Sequence, residues 1–391
     1  MRIGMVTACY KPVINGVTQM VSLYKQVLEQ LGHEVTVFTL GKPDPHGDEA
    51  GVVRSPGLPL GQTGYYFGIR YTQEAQSRLM QMEVLHCHHL LMSVEMAHRY
   101  AHAPIVYTNH TRYDLYAAAY SHLPLSTTNL LLRRVWPALA NLGDVVIAPS
   151  HGAKQVLQAY GIRAPIEVIA NGIELERFLT PSRPHTKQEL GLSGSALLLV
   201  FVGRLAREKN LDVLLEQFGQ VRDAAAGFGR EVHLLLIGDG PLRRTIPTWR
   251  EQRGLTGAVH LLGAVSYEET ANWLAAADLF ITASISEIHP LTLIEAMAAG
   301  LPVVAVHSPG ISDTVQPGLT GLLADRPDQL AETAMPLVID ESCRQAMGAA
   351  ARIASQQFDI RQTVAHTLAL YERLLAGQNE RPSKRKINLW Q

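Results

Sequence analysis

The chain has 391 residues, of which 47% are hydrophobic and 18% are charged, and its formal net charge is −1. A chain of this length exceeds the usual size of one hydrophobic core, so we expect two domains. A net charge this close to zero creates no overall field that would attract nucleic acid, and no run approaches the roughly 18 apolar residues of a membrane-spanning helix.

Short runs rich in valine and isoleucine alternate with helical patterns in the first half of the chain, which is typical of βα units in parallel sheets. They predict strands at residues 3–7, 35–40, 84–87, 105–108, 145–148 and 166–169, and helices at 17–31, 90–100, 127–142 and 152–160. Because the first strand pattern begins at Arg2, we expect no secretory leader. The N-terminal domain is predicted to span residues 1–172.

A polar stretch at 173–196, rich in proline and glycine, predicts a linker. The alternation then restarts, with strands at 197–202, 232–237, 259–262, 279–283 and 302–305 and helices at 211–218, 329–338, 341–357 and 361–375. We therefore expect an α/β protein in which two Rossmann-like, doubly wound domains face each other across a cleft, with ligands at the carboxyl ends of the strands. The C-terminal domain is predicted at residues 197–360.

Residues 361–391 are predicted to form a C-terminal helix that packs back toward the N-terminal domain, followed by a basic tail. The tail contains Arg381, Lys384, Arg385 and Lys386. Most such tails are simply solvated, and contact with a membrane or a lipid is the alternative interpretation.

The stretch 284–300, Ser-Ile-Ser-Glu-Ile-His-Pro-Leu-Thr-Leu-Ile-Glu-Ala-Met-Ala-Ala-Gly, carries two carboxylates around a predicted helix start. A helix that begins near Pro290 or Leu291 presents unpaired N–H groups and the positive end of its dipole, which favour an anion such as a diphosphate. Glu287 precedes this helix. Glu295 lies within its nearly apolar sequence, so we expect Glu295 to be buried and to need a hydrogen-bonding partner such as a ribose diol. Taken alone, two such glutamates are more often solvated.

Two cations lie between a predicted strand end and a predicted helix start, in Gly203-Arg204-Leu205 and Glu208-Lys209-Asn210. A guanidinium and an ammonium in this position suit two phosphates of one ligand, although either residue alone is more often merely exposed. The first loop ends in Asn15-Gly16, just ahead of the helix predicted from residue 17. Gly16 allows a ligand to approach the backbone closely, and the start of this helix again favours an anion. Neither a G-x-G-x-x-G after the first strand nor a P-loop is present, which disfavours a dinucleotide-dependent dehydrogenase.

Candidate metal ligands are sparse. The three cysteines, Cys9, Cys87 and Cys343, lie far apart, which disfavours a disulfide framework and a thiolate metal site and favours a reducing, cytoplasmic setting. The run 85–89, Leu-His-Cys-His-His, could be taken for a metal cluster, but alternate side chains of a strand face opposite ways, so His86 and His88 would lie on one face and Cys87 and His89 on the other. We therefore expect strand-end histidines in a cleft wall rather than a metal site. His110 ends another strand, where its imidazole would face the cleft, although a lone histidine is usually structural.

Residues 130–136, Leu-Leu-Leu-Arg-Arg-Val-Trp, combine apolar bulk with Arg133, Arg134 and Trp136. Such a mixture can lie in a membrane interface, and packing of an ordinary amphipathic helix on the sheet explains it equally well. Both interpretations remain open at the level of sequence.

Several motifs together resemble the retaining, nucleotide-sugar-dependent glycosyltransferases of GT-B fold, in the large group 1 family with mannosyl-, glucosyl- and glycolipid-synthesising members. They cover nearly the whole chain and are Asn15-Gly16-Val17, Thr-Asn-His-Thr-Arg-Tyr at 108–113, Asn171-Gly172-Ile173, Phe-Val-Gly-Arg-Leu at 201–205 with Glu-Lys-Asn at 208–210, and the segment 287–304. Any one of these motifs alone would be weak, whereas the set is specific.

The resemblance implies how the donor diphosphate is held. Arg204 and Lys209 would neutralise its charge, and the backbone of Gly16, Leu291 and Thr292 would support it. No metal cofactor is then implied, because the cations and the helix amides stabilise the departing nucleotide diphosphate.

The resemblance also implies roles at the sugar and the nucleoside. His110 would lie beside the reacting sugar, Glu287 would contact the donor sugar, and Glu295 would hold the ribose hydroxyls. The base would be read mainly by backbone around Val259, Leu261 and Leu262. Many relatives have Phe-Gly where this chain has His289-Pro290, which bears on the sugar contacts made there.

The implied function is a retaining hexosyltransferase that moves a hexose from a nucleotide-diphosphate sugar, of the UDP-glucose or GDP-mannose type, to an acceptor hydroxyl. A glycolipid or diacylglycerol is the candidate acceptor, which would suit a cytoplasmic protein in peripheral contact with the inner face of the membrane. An epimerase or hydrolase of sugar nucleotides would instead process the donor without an acceptor. A nucleotide-sugar-binding protein without turnover is the non-enzymatic alternative.

Overall fold

The structure is a computed structural model, and it describes residues 1–13, 15–45, 47–60, 65–68, 70–115 and 125–378. The first sheet is made of β1 (Arg2–Val6), β2 (Glu34–Leu40), β3 (Val52–Ser55), β6 (Val84–Cys87), β7 (Ile105–Thr108), β8 (Val145–Ala148) and β9 (Ile166–Val168). These strands are all parallel and lie in the order β3-β2-β1-β6-β7-β8-β9. A separate antiparallel hairpin joins β4 (Leu58–Pro59) to β5 (Tyr66–Phe67).

The second sheet is made of β10 (Leu197–Val202), β11 (Val232–Ile237), β12 (Val259–Gly263), β13 (Leu279–Thr282), β14 (Val303–Val306) and β15 (Gly321–Ala324). Its strands are parallel, in the order β12-β11-β10-β13-β14-β15. β10, β11, β13 and β14 are buried along their whole length, as expected of apolar runs covered by helices on both faces. Each sheet grows in both directions from its first strand, which confirms the prediction of two doubly wound, Rossmann-like sheets.

Helices connect the strands throughout both halves. Those of the first half are α1 (Gly16–Gln30), α2 (Gln73–Leu79), α3 (Glu95–Tyr100), α4 (Leu125–Ala140), α5 (His151–Ala159) and α6 (Leu175–Leu179). Those of the second half are α7 (Leu211–Ala226), α8 (Ile246–Gln252), α9 (Tyr267–Leu274), α10 (Leu291–Ala298), α11 (Pro309–Ser312), α12 (Leu330–Ile339), α13 (Glu341–Ser355) and α14 (Ile360–Gln378). Short 3-10 helices lie at Lys187–Leu190, Arg207–Lys209, Pro327–Gln329 and Gln356–Phe358.

The helix predicted at residues 90–100 is wrong in its first half. A π-type segment at Leu90–Val94 precedes α3 and contains two residues outside helical geometry, Leu91 and Met92, of which Met92 has a φ of 59°. A non-glycine residue at positive φ interrupts a helix, so the chain turns sharply here, directly after β6. The loop that follows β6 is therefore compact and stays close to the strand end.

The chain passes between the two sheets twice, and the two crossings are bonded to each other. The amide of Ile173 donates to the carbonyl of Phe358 at 2.9 Å, and the amide of Ile360 donates to the carbonyl of Ile173 at 3.0 Å. Helix α14 then packs on α1, where the Tyr24 and Thr367 hydroxyl oxygens are 3.0 Å apart. The last helix thus ties the second crossing to the first sheet.

The segment predicted as a linker, 173–196, contains α6 and the 3-10 helix Lys187–Leu190 rather than irregular chain alone. The predicted domain boundaries stay predictions. The basic tail falls outside the described residues.

Candidate active site

Loops that follow the strands of the two sheets contact each other directly. Ser150, after β8, donates through its hydroxyl to the carbonyl of Ile288, after β13, at 2.9 Å. Asn171, after β9, donates through its amide to the carbonyl of His289 at 3.0 Å. The carboxyl ends of the two sheets therefore lie against one another, which is where doubly wound sheets bind ligands.

A second contact between the sheets involves residues that the sequence did not single out. The carboxylate of Asp313 accepts a hydrogen bond from the amide of Gly152, near the start of α5, at 2.7 Å. A side chain at position 152 would come within 2.5 Å of Pro309, so only glycine fits here without displacement. No periodicity or motif marks Gly152 or Asp313, because the contact exists only where the two sheets meet.

Lys209 and Glu287, predicted as separate ligand contacts, form an ion pair. The ammonium of Lys209 lies 2.6 Å from the carboxylate of Glu287, and the two side chains are only 17% and 14% exposed. The adjacent Asn210 donates to the carbonyl of Ala283 at 3.1 Å, which ties the turn after β10 to the end of β13. Arg204 lies shortly before Lys209 in the sequence and is exposed. None of the ion pairs formed by the described residues includes Arg204.

Helix α10 begins at Leu291 with Pro290 as its N-cap, and no side chain caps its first turn. The predicted helix start is therefore confirmed. The amides of Leu291 and Thr292 are first-turn donors that helix geometry leaves without intrahelical acceptors, and the helix dipole adds positive potential at this end. Gly16 lies opposite, because a side chain placed there would come within 3.9 Å of the Leu291 side chain.

Helix α1 offers an anion fewer donors than the sequence suggested. Asn15 caps this helix, and its side-chain oxygen accepts from the amides of Val17 and Thr18, each at 2.9 Å. Thr18 in turn accepts from the backbone amide of Asn15 at 3.0 Å, which completes a capping box. Of the first three amides of α1, only that of Gly16 is left outside this arrangement, so the expectation of an open anion-binding end is corrected to a single amide.

Glu295 is buried, as predicted from the apolar sequence around it, with 4% of its surface exposed. Burial raises the pKa of its carboxyl to about 8, and the nearby Tyr267 hydroxyl offsets part of this rise. That hydroxyl is itself buried and makes no hydrogen bond of normal length within the described chain. The hydrogen-bonding capacity of the Tyr267 hydroxyl beside Glu295 is therefore not fully used within the described chain, and Tyr267 was not identified from the sequence.

His110 follows β7 and lies against a stack of two further imidazoles. His88 Nδ1 is 3.1 Å from His110 Nε2, with the rings nearly parallel, and the His86 ring centre lies 4.1 Å from that of His88. His86 is held by the Thr108 and Tyr371 hydroxyls, each at 2.6 Å. His110 is partly exposed as a residue, yet its imidazole ring is surrounded by protein. This burial lowers the pKa of His110 to about 3, and the neighbouring His89 and His86 contribute further lowering.

The predicted base-reading strand needs one correction. Val259 lies at the amino end of β12, is 1% exposed, and its carbonyl accepts from Arg250 at 2.8 Å. Its side chain and its carbonyl are therefore both engaged away from the carboxyl edge, and we withdraw it from the candidate site. Leu261 and Leu262 are partly exposed and lie nearer the carboxyl end of β12, beside Gly263.

The segment 130–136 is only partly consistent with a membrane interface. Trp136 is fully buried between Tyr113 and Tyr160, and Arg133 lies over the Tyr160 ring at 5.3 Å, so both belong to the packing of α4 on the domain. The opposite face of α4 is exposed and mostly apolar, and we call Leu130, Leu131, Arg134 and Val135 the α4 stripe.

None of the helices within the described ranges is long and apolar enough to cross a bilayer. Across those same ranges, no three His, Cys, Asp or Glu residues gather as a metal site.

Two family models match successive parts of this chain. The model described as "Glycosyltransferase Family 4" matches residues 14–177, and the model described as "Glycosyl transferases group 1" matches residues 182–354. The first match covers the seven-stranded sheet apart from β1, and the second covers the whole six-stranded sheet. The two matches therefore lie on both sides of the crevice between the carboxyl ends of the two sheets.

Relatives and solved structures are similar over most of the chain. The alpha-monoglucosyldiacylglycerol synthase of Streptococcus pneumoniae is 29% identical over 340 residues, which cover 83% of this chain and 75% of the relative. Sucrose-phosphate synthase from Thermosynechococcus elongatus superposes with a TM-score of 0.77 at 21% identity, covering 96% and 99% of the two chains. HepE of Anabaena, in complex with UDP-glucose, gives a TM-score of 0.72 at 22% identity, with 95% and 100% covered. The chain therefore belongs to the group 1 glycosyltransferases and has the GT-B fold.

Proposed function

We propose that this glycosyltransferase is a retaining hexosyltransferase that uses a nucleotide-diphosphate sugar and a glycolipid or diacylglycerol acceptor. The observation that best supports it is that Lys209 and Glu287 lie together beside the uncapped start of α10. Gly16, at the start of α1 in the other half of the molecule, lies opposite this helix start. An ammonium beside a helix N-terminus suits a diphosphate, and a carboxylate next to it suits a sugar that acquires positive charge.

The donor diphosphate would be held without a metal ion. Lys209 has three N–H donors, so it can keep its contact with Glu287 and also donate to a phosphate oxygen. Arg204 would supply a second cation, and the amides of Leu291 and Thr292 would supply neutral donors. UDP-glucose is the first donor to test, because HepE of the same fold was solved with it.

The reaction would proceed with retention of the anomeric configuration. The bond between the anomeric carbon and the phosphate oxygen breaks, and the cations and amides stabilise the charge on the leaving diphosphate. The acceptor hydroxyl then bonds to the anomeric carbon from the same face and transfers its proton to the departing phosphate oxygen. The name of the S. pneumoniae relative specifies an alpha product, and an alpha product from an alpha-linked nucleotide sugar requires retention.

A lipid acceptor is supported by exposed apolar side chains on the N-terminal half. In the α4 stripe, Leu130 is 61% exposed and Leu131 is 54% exposed, beside the cation of Arg134. On the hairpin, Leu58 and Phe67 are 72% and 46% exposed. Adjacent exposed apolar residues with a neighbouring cation suit the surface of an anionic membrane.

The test is an incubation of the purified protein with UDP-glucose or GDP-mannose and vesicles that contain diacylglycerol, with and without EDTA. We expect an alpha-linked glycolipid from one donor, identified by mass spectrometry and by the anomeric coupling constant, at a rate that EDTA leaves unchanged. Free hexose as the only product would identify a hydrolase, and an isomerised donor would identify an epimerase. Donor binding without consumption would identify a binding protein.

A further inference from the structure

We infer that His88 is a positioning residue that fixes His110 as a hydrogen-bond donor to the substrate through Nδ1–H. This inference rests on the proposed function, because it assumes that His110 lies beside the reacting sugar. It concerns one further residue of the N-terminal half, His88, which neither the motifs nor the comparisons assign to the site.

Among the contacts of the described residues, the ring of His110 keeps one nitrogen for a ligand. His110 Nε2 is 3.1 Å from His88 Nδ1 in a nearly parallel stack, with 15° between the ring planes. One of these two nitrogens must carry the hydrogen, and the other must accept it. Whichever way the proton lies, His110 Nε2 is engaged by His88, so its Nδ1 is the atom that remains for substrate.

The other nitrogen of His88 decides the direction of this hydrogen bond. His88 is 1% exposed, and its Nε2 is buried with no hydrogen-bond partner in the described part of the chain. A buried N–H without an acceptor is rarer and costlier than a buried lone pair without a donor. The proton of His88 therefore resides on Nδ1, which donates to His110 Nε2 and leaves the proton of neutral His110 on Nδ1.

The stack behind His88 keeps this arrangement rigid. The His86 ring lies against His88 and is itself held between Thr108 of β7 and Tyr371 of α14, at 2.6 Å each. Because these two anchors lie on different elements, a rotation of the His88 ring would disturb the packing of His86 between β7 and α14. In this arrangement His110 donates a hydrogen bond to a neutral oxygen of the substrate and does not act as a general base.

The experiment combines tautomer spectroscopy with matched variants. In protein labelled with 15N-histidine, the His110 signals are assigned by their loss in His110→Ala, and their 15N shifts report which nitrogen carries hydrogen. We expect Nδ1–H in the wild type. His88→Asn places an amide donor near the Nδ1 position and should keep both this tautomer and the kcat for transfer within about threefold, whereas His88→Leu should lower kcat about tenfold at an unchanged KM for the donor.

His233 provides the matched control in the other sheet. It is 7% exposed, and its Nδ1 lies 3.1 Å from His260 Nε2, at the amino end of β11 and far along the strand from the crevice. His233→Leu should cost comparable stability and leave kcat and KM unchanged.

Three results would each overturn the inference. They are Nε2–H on His110 in the wild type, equal activity of His88→Leu and the control, and full activity of His110→Ala. A wild type that transfers no sugar would refute the proposed function, while the tautomer measurement would still decide the role of His88.

Discussion

The two halves of the molecule share a sheet topology but differ in the chemistry of the strand ends that face each other. The C-terminal half presents an ion pair, Lys209 with Glu287, and a helix start that no side chain caps. The N-terminal half presents imidazoles whose pKa is lowered by burial, including that of His110, and a helix start that Asn15 caps. Under the proposed function, the C-terminal strand ends would bind the anionic part of the donor, and the N-terminal strand ends would bind neutral hydroxyls.

Removal of charge from the C-terminal side is expected to have the largest effect. Lys209→Ala should lower the kcat of sugar transfer by about 1000-fold, or ~4 kcal/mol, because it removes a cation at the leaving group and the partner of Glu287. Arg207 is the matched control, since it is an exposed cation in the same 3-10 turn. Arg207→Ala should keep the steady-state rate within about twofold. Equal rates for the two variants would contradict the role of Lys209.

The buried acid of the C-terminal side should make stability depend on pH. Glu295 has a pKa of about 8 in the folded protein and an ordinary value of 4.5, so the folded state binds more protons between these values. Stability is therefore lost as the pH rises through this window. In the wild type this loss should reach about 3 kcal/mol by pH 7, and Glu295→Gln should abolish it, as measured by urea unfolding of both proteins at several pH values.

The control for this measurement removes an exposed carboxyl from the same half of the chain. Glu216 is exposed on α7, and Glu216→Gln should leave the pH dependence of unfolding as it is in the wild type. A Glu295→Gln curve parallel to that of the wild type would show that Glu295 is already ionised in the folded state.

The junction between the two halves should be sensitive to a single methyl group. Gly152→Ala places a Cβ 2.5 Å from Pro309, so the sheets must separate slightly, at a cost of about 2 kcal/mol in stability and with a lower kcat. Gly257→Ala is the control, because a Cβ there meets nothing within 4 Å. Thermal unfolding and the transfer assay would measure both variants. If Gly152→Ala matched the control, the junction would not be as close as the structure indicates.

The smallest expected effect concerns the outer surface of the N-terminal half. Leu131→Glu, in the α4 stripe, should weaken co-sedimentation with anionic vesicles by about tenfold, because an exposed apolar side chain is replaced by a charge that the membrane repels. Phe228→Glu makes the same change at a residue that is 63% exposed in the other half, and it should leave binding unchanged. Equal binding of both variants would remove the support for a membrane-facing α4.

The sequence predicts the central strands and the burial of Glu295 well because both leave local signals. β10 and β11 are unbroken apolar runs, and Glu295 stands out as an acid in an apolar helix. The edge strands β3 and β15 were not predicted, whereas the edge strands β9 and β12, which are also partly exposed, were. The local pattern therefore identifies the strands that are buried along their length and identifies partly exposed strands inconsistently.

Other parts of the site depend on contacts between segments far apart in the chain. His88 could be assigned to a cleft wall from the sequence, but its stacking on His110 requires β6 and β7 to be neighbours. The contact of Gly152 with Asp313 requires the two sheets to meet. Val259 was misplaced because a strand pattern gives the residues of the strand without the position of its ends relative to the crevice. Trp136 was ambiguous because a buried face and a membrane-facing face have the same composition on an isolated helix.

A crystal structure of the protein in complex with UDP-glucose would test the proposed donor site. We expect the diphosphate oxygens to lie within hydrogen-bonding distance of Lys209, Arg204 and the amides of Leu291 and Thr292. The ribose should lie at Glu295, and the glucose should lie between Glu287 and His110. A nucleotide bound elsewhere, or bound in the crevice with its diphosphate directed away from Lys209 and the start of α10, would contradict it.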